Sequence, residues 1–343
     1  MTLRRLKAWA LHHELDPNNI RATIAAADVP VSDAPCRGCA DPCDEGHPEY
    51  PERFKVDMET QMLGTVRPYR RQILISTAAK DWDRDVTSTR GSLAAHVSAV
   101  PLKTSATVTS APRSPGIFDT SASTEIAILN GSHASISDGE HEGTVLVFPD
   151  YVAVAGVPET SKGAQLLWKS ALDPAIPRAV GGGEGGLQTW VLPYACVITM
   201  CSHKRRDARC AIAAPKLEQA FSDSLHRRGW AVDNQLEHFI DHPLEKFEGT
   251  SEERQKHVLD SLKSAQSSKR ALILYNSHVG GHKFSGLTII YTPGGASVWY
   301  GRVSPHDVES IVENTIVGGL VLPSLLRGGL GLAKPGCKSL HDW

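Results

Sequence analysis

Val191-Leu-Pro-Tyr-Ala-Cys-Val-Ile-Thr-Met200 is the stretch on which the reading of this chain turns. It is almost continuously apolar, as expected of a strand buried on both faces of an α/β sheet, and it runs straight into Cys201. Pro215 to Arg228 then reads as a helix. Leu217, Ala220, Phe221 and Leu225 fall on one face, Pro215 suits the first turn, and Gly229 suits the position just past the end. Ala271-Leu-Ile-Leu-Tyr275 is a second buried strand, and it delivers His278. Leu287 to Tyr291 and Ser297 to Tyr300 are joined by Pro293-Gly-Gly, a hairpin signal. Ser304-Pro305 caps a helix whose inward positions are Val308, Ile311, Val312, Thr315 and Ile316. The order β-α-β-β-β-α, or close to it, suggests a thioredoxin-like α/β layer.

Upstream the pattern is weaker. Residues 1–35 read as an N-terminal arm, with one helical stretch from Pro17 to about Ala27 and a basic amphipathic opening that carries Arg4, Arg5 and Lys7. Residues 36–180 read as an N-terminal α/β region. Arg71 to Ser76 and Thr144 to Phe148 are its strands, Asp81-Trp82-Asp83 sits in a loop, and Ala164 to Leu172 suits a helix. The span near 87–140 is rich in Ser, Thr, Ala and Pro without a sustained period, so a flexible insertion is expected there. The glycine cluster at 181–186 reads as a linker and a boundary, which leaves 187–343 as the second domain with its C-terminal tail. The charged, mostly helical segment 241–268 looks like an insertion. Whether the N-terminal region is a second, degenerate thioredoxin-like layer is not decided by its sequence.

Composition narrows the function classes. The chain has 343 residues, with 36 Lys and Arg against 38 Asp and Glu, so it lacks the basic excess of a nucleic-acid binder. No apolar run reaches the length of a bilayer span. The opening has no apolar core of a secretory signal. Seven cysteines, an odd number, argue for reduced thiols or metal ligands rather than a disulfide framework.

Two ligand-type pairs each follow a buried strand: Cys201-Ser-His-Lys-Arg-Arg-Asp-Ala-Arg-Cys210 and His278-Val-Gly-Gly-His282. Open α/β sheets place their sites outside strand ends, and adjacent glycines let backbone bend closely around a bulky centre. Two thiolates and two imidazoles make a full set of four. Zinc takes Cys₂His₂, but its usual cysteine spacing is tighter than the eight residues that intervene here. A two-iron cluster is wider and suits the gap, although the Cys and His pairs are segregated in a way no Rieske protein shows. Spacing alone leaves iron–sulfur and zinc level, beside the bland reading of four unrelated core or surface residues.

The block CSHKRRDARC, then NSHVGGHKFSGLTIIY, then VWYGRVSPHDVESIVE resembles the sucrase/ferredoxin-like family. The resemblance is strong over about 190–317 and weaker before it, resting there on Asp81-Trp82 and the strand from Val145 to Tyr151. It implies a bishistidinyl thioredoxin-like ferredoxin domain, with a [2Fe–2S] cluster held by Cys201, Cys210, His278 and His282. The longer 241–270 segment and Ala211, where the family usually has Gly, are departures that touch no ligand. No paired-carboxylate signature supports glycoside hydrolysis. The function implied is electron transfer rather than catalysis of a defined reaction, and a zinc-stabilised binding module is the alternative. Two ferric ions, two sulfides and two thiolates sum formally to about zero, so adding an electron is easier than in an all-cysteine cluster. Each imidazole also carries an exchangeable outer proton, which would couple electron and proton uptake.

Other residues carry paired readings. Arg205, Arg206, Arg209 and Lys283 either stabilise a reduced centre and meet an acidic redox partner or form a solvated basic loop. Arg302 neutralises charge near the centre or pairs with a carboxylate. His203 reads as a supporting or surface group, and Cys196 as core. Cys36, Cys39 and Cys43 with His47 form a second metal-like cluster, or exposed thiols on a flexible arm. At the far end, Asp342-Trp343 resembles the terminal tripeptide by which clients dock onto the cytosolic iron–sulfur assembly targeting complex, with His341 where an aliphatic residue is usual. That implies a cytoplasmic protein, whereas the basic opening points to a mitochondrial one.

Overall fold

A computed structural model describes residues 20–100, 123–176, 185–334 and 336–343. The basic opening, residues 101–122 of the expected insertion, and Gly181, Gly182, Gly183 and Glu184 of the glycine cluster lie outside the described residues.

Eleven strands form one mixed sheet among the described residues, giving the α/β fold expected. Helix α1 (Ile20–Ala25) precedes the first unit. That unit comprises β1 (Arg71–Ser76), α2 (Leu93–Ser98), β2 (Ile126–Gly131), β3 (Glu142–Phe148), β4 (Val152–Pro158) and α3 (Ser161–Leu167). Helix α2 and strand β2 lie inside the span read from sequence as an insertion. Strand β5 (Gln188–Val191) pairs antiparallel with β4 and closes this edge.

The second unit repeats the plan with β6 (Cys196–Cys201), α4 (Ala208–Arg227), β7 (Ala231–Asp233), α5 (Ser251–Gln266), β8 (Arg270–Asn276), β9 (Thr288–Tyr291), β10 (Ser297–Tyr300) and β11 (Leu326–Leu330). A helical segment made of Pro305–Asp307, Val308–Ser310 and Ile311–Val317 follows β10, and all five of its expected inward positions are buried. β1 pairs in parallel with β2 and antiparallel with β3, which β4 flanks; β6 likewise pairs in parallel with β8 and antiparallel with β9, which β10 flanks, while short β7 adds beside β8.

The units meet where β2 crosses β8 antiparallel, at Gly131 and Asn276. The contact is reciprocal. The N–H of Tyr275 donates to Ser132 Oγ at 2.9 Å, and that of Asn130 donates to Ser277 Oγ at 3.0 Å. The N–H groups of Ser132 and Ser277 donate in turn to the carbonyls of Tyr275 and Asn130. Ser132-His133 after β2 therefore occupies the place of Ser277-His278 after β8. Ser76, last in β1, occupies the place of Cys201, last in β6.

Two readings from the sequence change. The apolar run 191–200 is not one strand: it breaks at Pro193, between β5 and β6, because proline brings no N–H to a ladder. Helix α4 begins seven residues before Pro215 and holds that proline inside it. Asp207 caps the earlier start by accepting the N–H of Arg209, and the buried face formed by Cys210, Ala213, Ala214 and Leu217 carries the helix across Pro215. Gly229 follows the helix end with φ +73°.

Apolar side chains cover both sheet faces. Residues 29–62 run along the second unit. Val31 bridges Val321, the Ser310 hydroxyl donates to the Pro35 carbonyl, and the Tyr50 hydroxyl donates to the Val303 carbonyl.

Candidate metal centre

Cys201 ends β6 and Cys210 lies in the first turn of α4, so strand end and helix start present both thiols from opposite ends of one short loop. They are 3% and 1% exposed and pack with Met62, Phe284 and Leu287. A hydrogen bond from Cys210, aided by His278 and the His203 N–H, holds the Cys201 thiol well below the usual range despite burial. The same bond, with burial and the Cys201 charge, pushes Cys210 up.

His278 follows β8, and its ring lies 5.6 Å from that of exposed His282. Gly280 and Gly281 both take left-handed φ, +75° and +71°, which turns the chain between the two histidines. A Cβ at Gly281 would collide with the guanidinium of Arg327. His278 Nδ1 is buried and makes no hydrogen bond.

His203 positions this loop. Its Nδ1 accepts the N–H of His278 at 3.1 Å, so the ring proton sits on Nε2, which donates to the Trp82 carbonyl at 2.8 Å. Both nitrogens are occupied, and His203 is buried support rather than surface or ligand. Ser202 donates to the Lys80 carbonyl, and the Arg205 N–H to Asp81. The 80–83 loop of the first unit therefore braces the cysteine loop of the second.

Arg327 is the residue the sequence reading missed. It is 1% exposed on β11, and no carboxylate pairs with it among the described residues. Its guanidinium donates to Thr65 Oγ1 and to the Gly280 carbonyl at 3.1 and 3.3 Å. Burial pulls it down to about 10 while the Cys201 charge acts the other way. A lone arginine in Leu326-Arg-Gly-Gly-Leu330 was the available signal. Arg302, the cation singled out instead, donates to the carbonyls of Asp57 and Thr60. Arg205 pairs with Asp83, Arg209 with Asp207, and Lys283 with Asp57, so the basic loop is largely neutralised by its own neighbours. Cys196 is core, its thiol pushed up to about 12 by burial.

The N-terminal cysteines separate. Cys36 turns to the Ser324 hydroxyl at 2.8 Å. Cys39, Cys43 and His47 gather instead with His306, all four donor atoms lying within 4.8 Å of one another.

"Altered inheritance of mitochondria protein 32" of Debaryomyces hansenii is 31% identical over 135 residues, 38% of this chain and 35% of that protein. Its namesake in Meyerozyma guilliermondii is 30% identical over 132 residues. These matches span about a third of the relatives' own length. "Actin patches distal protein 1" of Saccharomyces cerevisiae is 25% identical over 308 residues, 86% of this chain and 84% of that protein. No solved structure matches. The sucrase/ferredoxin-like profile matches residues 62–328, which takes in both units and every residue of the Cys201 site, and the chain belongs to that family.

Proposed function

We propose that Cys201, Cys210, His278 and His282 hold a [2Fe–2S] cluster and that the protein transfers single electrons. The observation that carries the reading is the convergence of two buried thiols, an unpartnered buried imidazole nitrogen and a buried guanidinium with no carboxylate. These residues fit a group that takes both thiolates and leaves Arg327 a counter-charge. The repeated strand pairing supports a thioredoxin-like plan for both units, the first degenerate because Ser76 replaces a thiol and His133 is buried. Bound, the cluster would supply one-electron redox chemistry, and His282, at the surface, would exchange a proton with water alongside it.

Iron, sulfide and zinc analysis with the visible spectrum of protein purified without oxygen tests this. Two irons and two sulfides per chain in a red-brown protein are expected. A colourless protein with zinc bound through Cys201 and Cys210 overturns it.

Among the described residues no helix is long and apolar enough to cross a membrane. We place the protein in the cytoplasm, with docking onto the iron–sulfur targeting complex through Trp343. Trp343 is 46% exposed, while buried Leu340 and the Asp342 carboxylate, which accepts the N–H groups of Lys338 and Ser339, anchor the preceding turn. Removing Asp342 and Trp343 should lower iron occupancy in cells and leave the apoprotein folded; full loading counts against docking.

A further inference from the structure

We propose that Cys39, Cys43, His47 and His306 form a second, mononuclear zinc site that fastens the N-terminal segment onto the second unit. Cys39 Sγ lies 3.2 Å from His306 Nδ1, and Cys43 Sγ lies 3.2 Å from His47 Nδ1. The two rings stand edge to face, centroids 5.4 Å apart. Donors about 2.0–2.3 Å from one tetrahedral ion sit about 3.3–3.8 Å from each other, so this group needs little adjustment to close on zinc.

Carboxylates stand beside both far nitrogens. With both Nδ1 atoms turned to the sulfurs, Nε2 of His306 lies 2.9 Å from Glu49 Oε1 and Nε2 of His47 lies 3.8 Å from Glu45 Oε2, neither as a hydrogen bond. A small turn of each glutamate on metal binding would supply the outer carboxylate that fixes the tautomer of a histidine ligand. Binding balances simply. Zn²⁺ replaces two thiol protons, which leave to solvent, and two neutral imidazoles complete a neutral centre.

Location gives the site a purpose. Three ligands come from a loop without regular secondary structure, and the fourth from the Pro305–Asp307 turn. Downstream, the Lys55 carbonyl accepts from Arg209, Asp57 pairs with Lys283 at 3.2 Å, and Met62 joins the buried cluster that holds Cys201 and Cys210. Zinc would thus anchor the strap that lies over the thiol side of the Cys201 site, sharing no ligand with it.

Metal analysis of the full chain tests the assignment, with zinc and iron counted separately. One zinc per chain is expected. The double variant Cys39→Ser/Cys43→Ser and the single variant His306→Ala should each lose it and keep the visible absorption. Cys201→Ser should lose the absorption and keep the zinc. Cobalt added to metal-free Cys201→Ser protein should give the ligand-field bands of a tetrahedral thiolate site, bleached by zinc; this reading survives even if the double variant does not fold. Zinc retained by the double variant, no cobalt bands, or a Cys39–Cys43 disulfide in the purified protein would each overturn the proposal.

Discussion

The ring of His203 accepts the backbone N–H of His278 at 3.1 Å and is itself held by the Trp82 carbonyl. A residue of the cysteine loop thus sets the backbone of the histidine loop, braced from the other unit. His203→Leu leaves that buried N–H and carbonyl unpaired, at a cost of about 1–3 kcal/mol for each group. Lower urea stability and a shifted visible spectrum are expected, whereas His203→Gln should recover part of both. Wild-type spectrum and stability in the Leu variant would remove His203 from this role.

Ligand replacements separate the two residue types. Cys201→Ser or Cys210→Ser should abolish the visible chromophore, since a hydroxyl is a poor substitute for thiolate. His278→Cys and His282→Cys should keep a cluster at lower potential, because each adds a negative charge. An unchanged absorption spectrum in both serine variants defeats the assignment.

Arg327 should raise the potential. It is buried beside Cys201, so Arg327→Met withdraws a positive charge from the site and a lower midpoint is expected by electrochemistry. Arg302→Met, whose parent donates to the Asp57 and Thr60 carbonyls and lies over the Phe284 ring, is the control and should shift it less. Equal shifts would mean that general loss of charge, not position, decides the potential.

His133 makes stability pH-dependent. Burial pulls it down to about 4, against 6.5 unfolded, and its Nε2 faces the Thr144 carbonyl at 3.3 Å. Between those values the unfolded chain binds the extra proton, so stability falls as pH drops from about 6.5 to about 4, by about 3 kcal/mol in full. Half-buried His341, also pulled down by desolvation, adds in the same direction. His133→Gln should flatten much of the slope in urea titrations at several pH values. An unaltered slope would mean that other groups carry it.

Much of the centre was legible in sequence because it is local. Cys201 and Cys210 straddle one strand-to-helix turn, and His278 and His282 straddle one glycine bend, so spacing and resemblance alone singled them out. The strands flanking them read correctly because burial on both faces leaves an apolar run. The helix start and the break at Pro193 were misread because propensity is weighed locally, while Asp207 and the β4 edge compete from the folded chain. What only tertiary structure decided are the contacts between distant residues. Arg327 reaches Gly280 across 47 positions, and His306 reaches Cys39 across 267 while Cys36 leaves for Ser324. The crossing at Gly131 and Asn276, which joins two like units into one sheet, belongs with them. No periodicity records such pairs, because side-chain pattern reports which face a residue presents, and only the packed chain determines what that face meets.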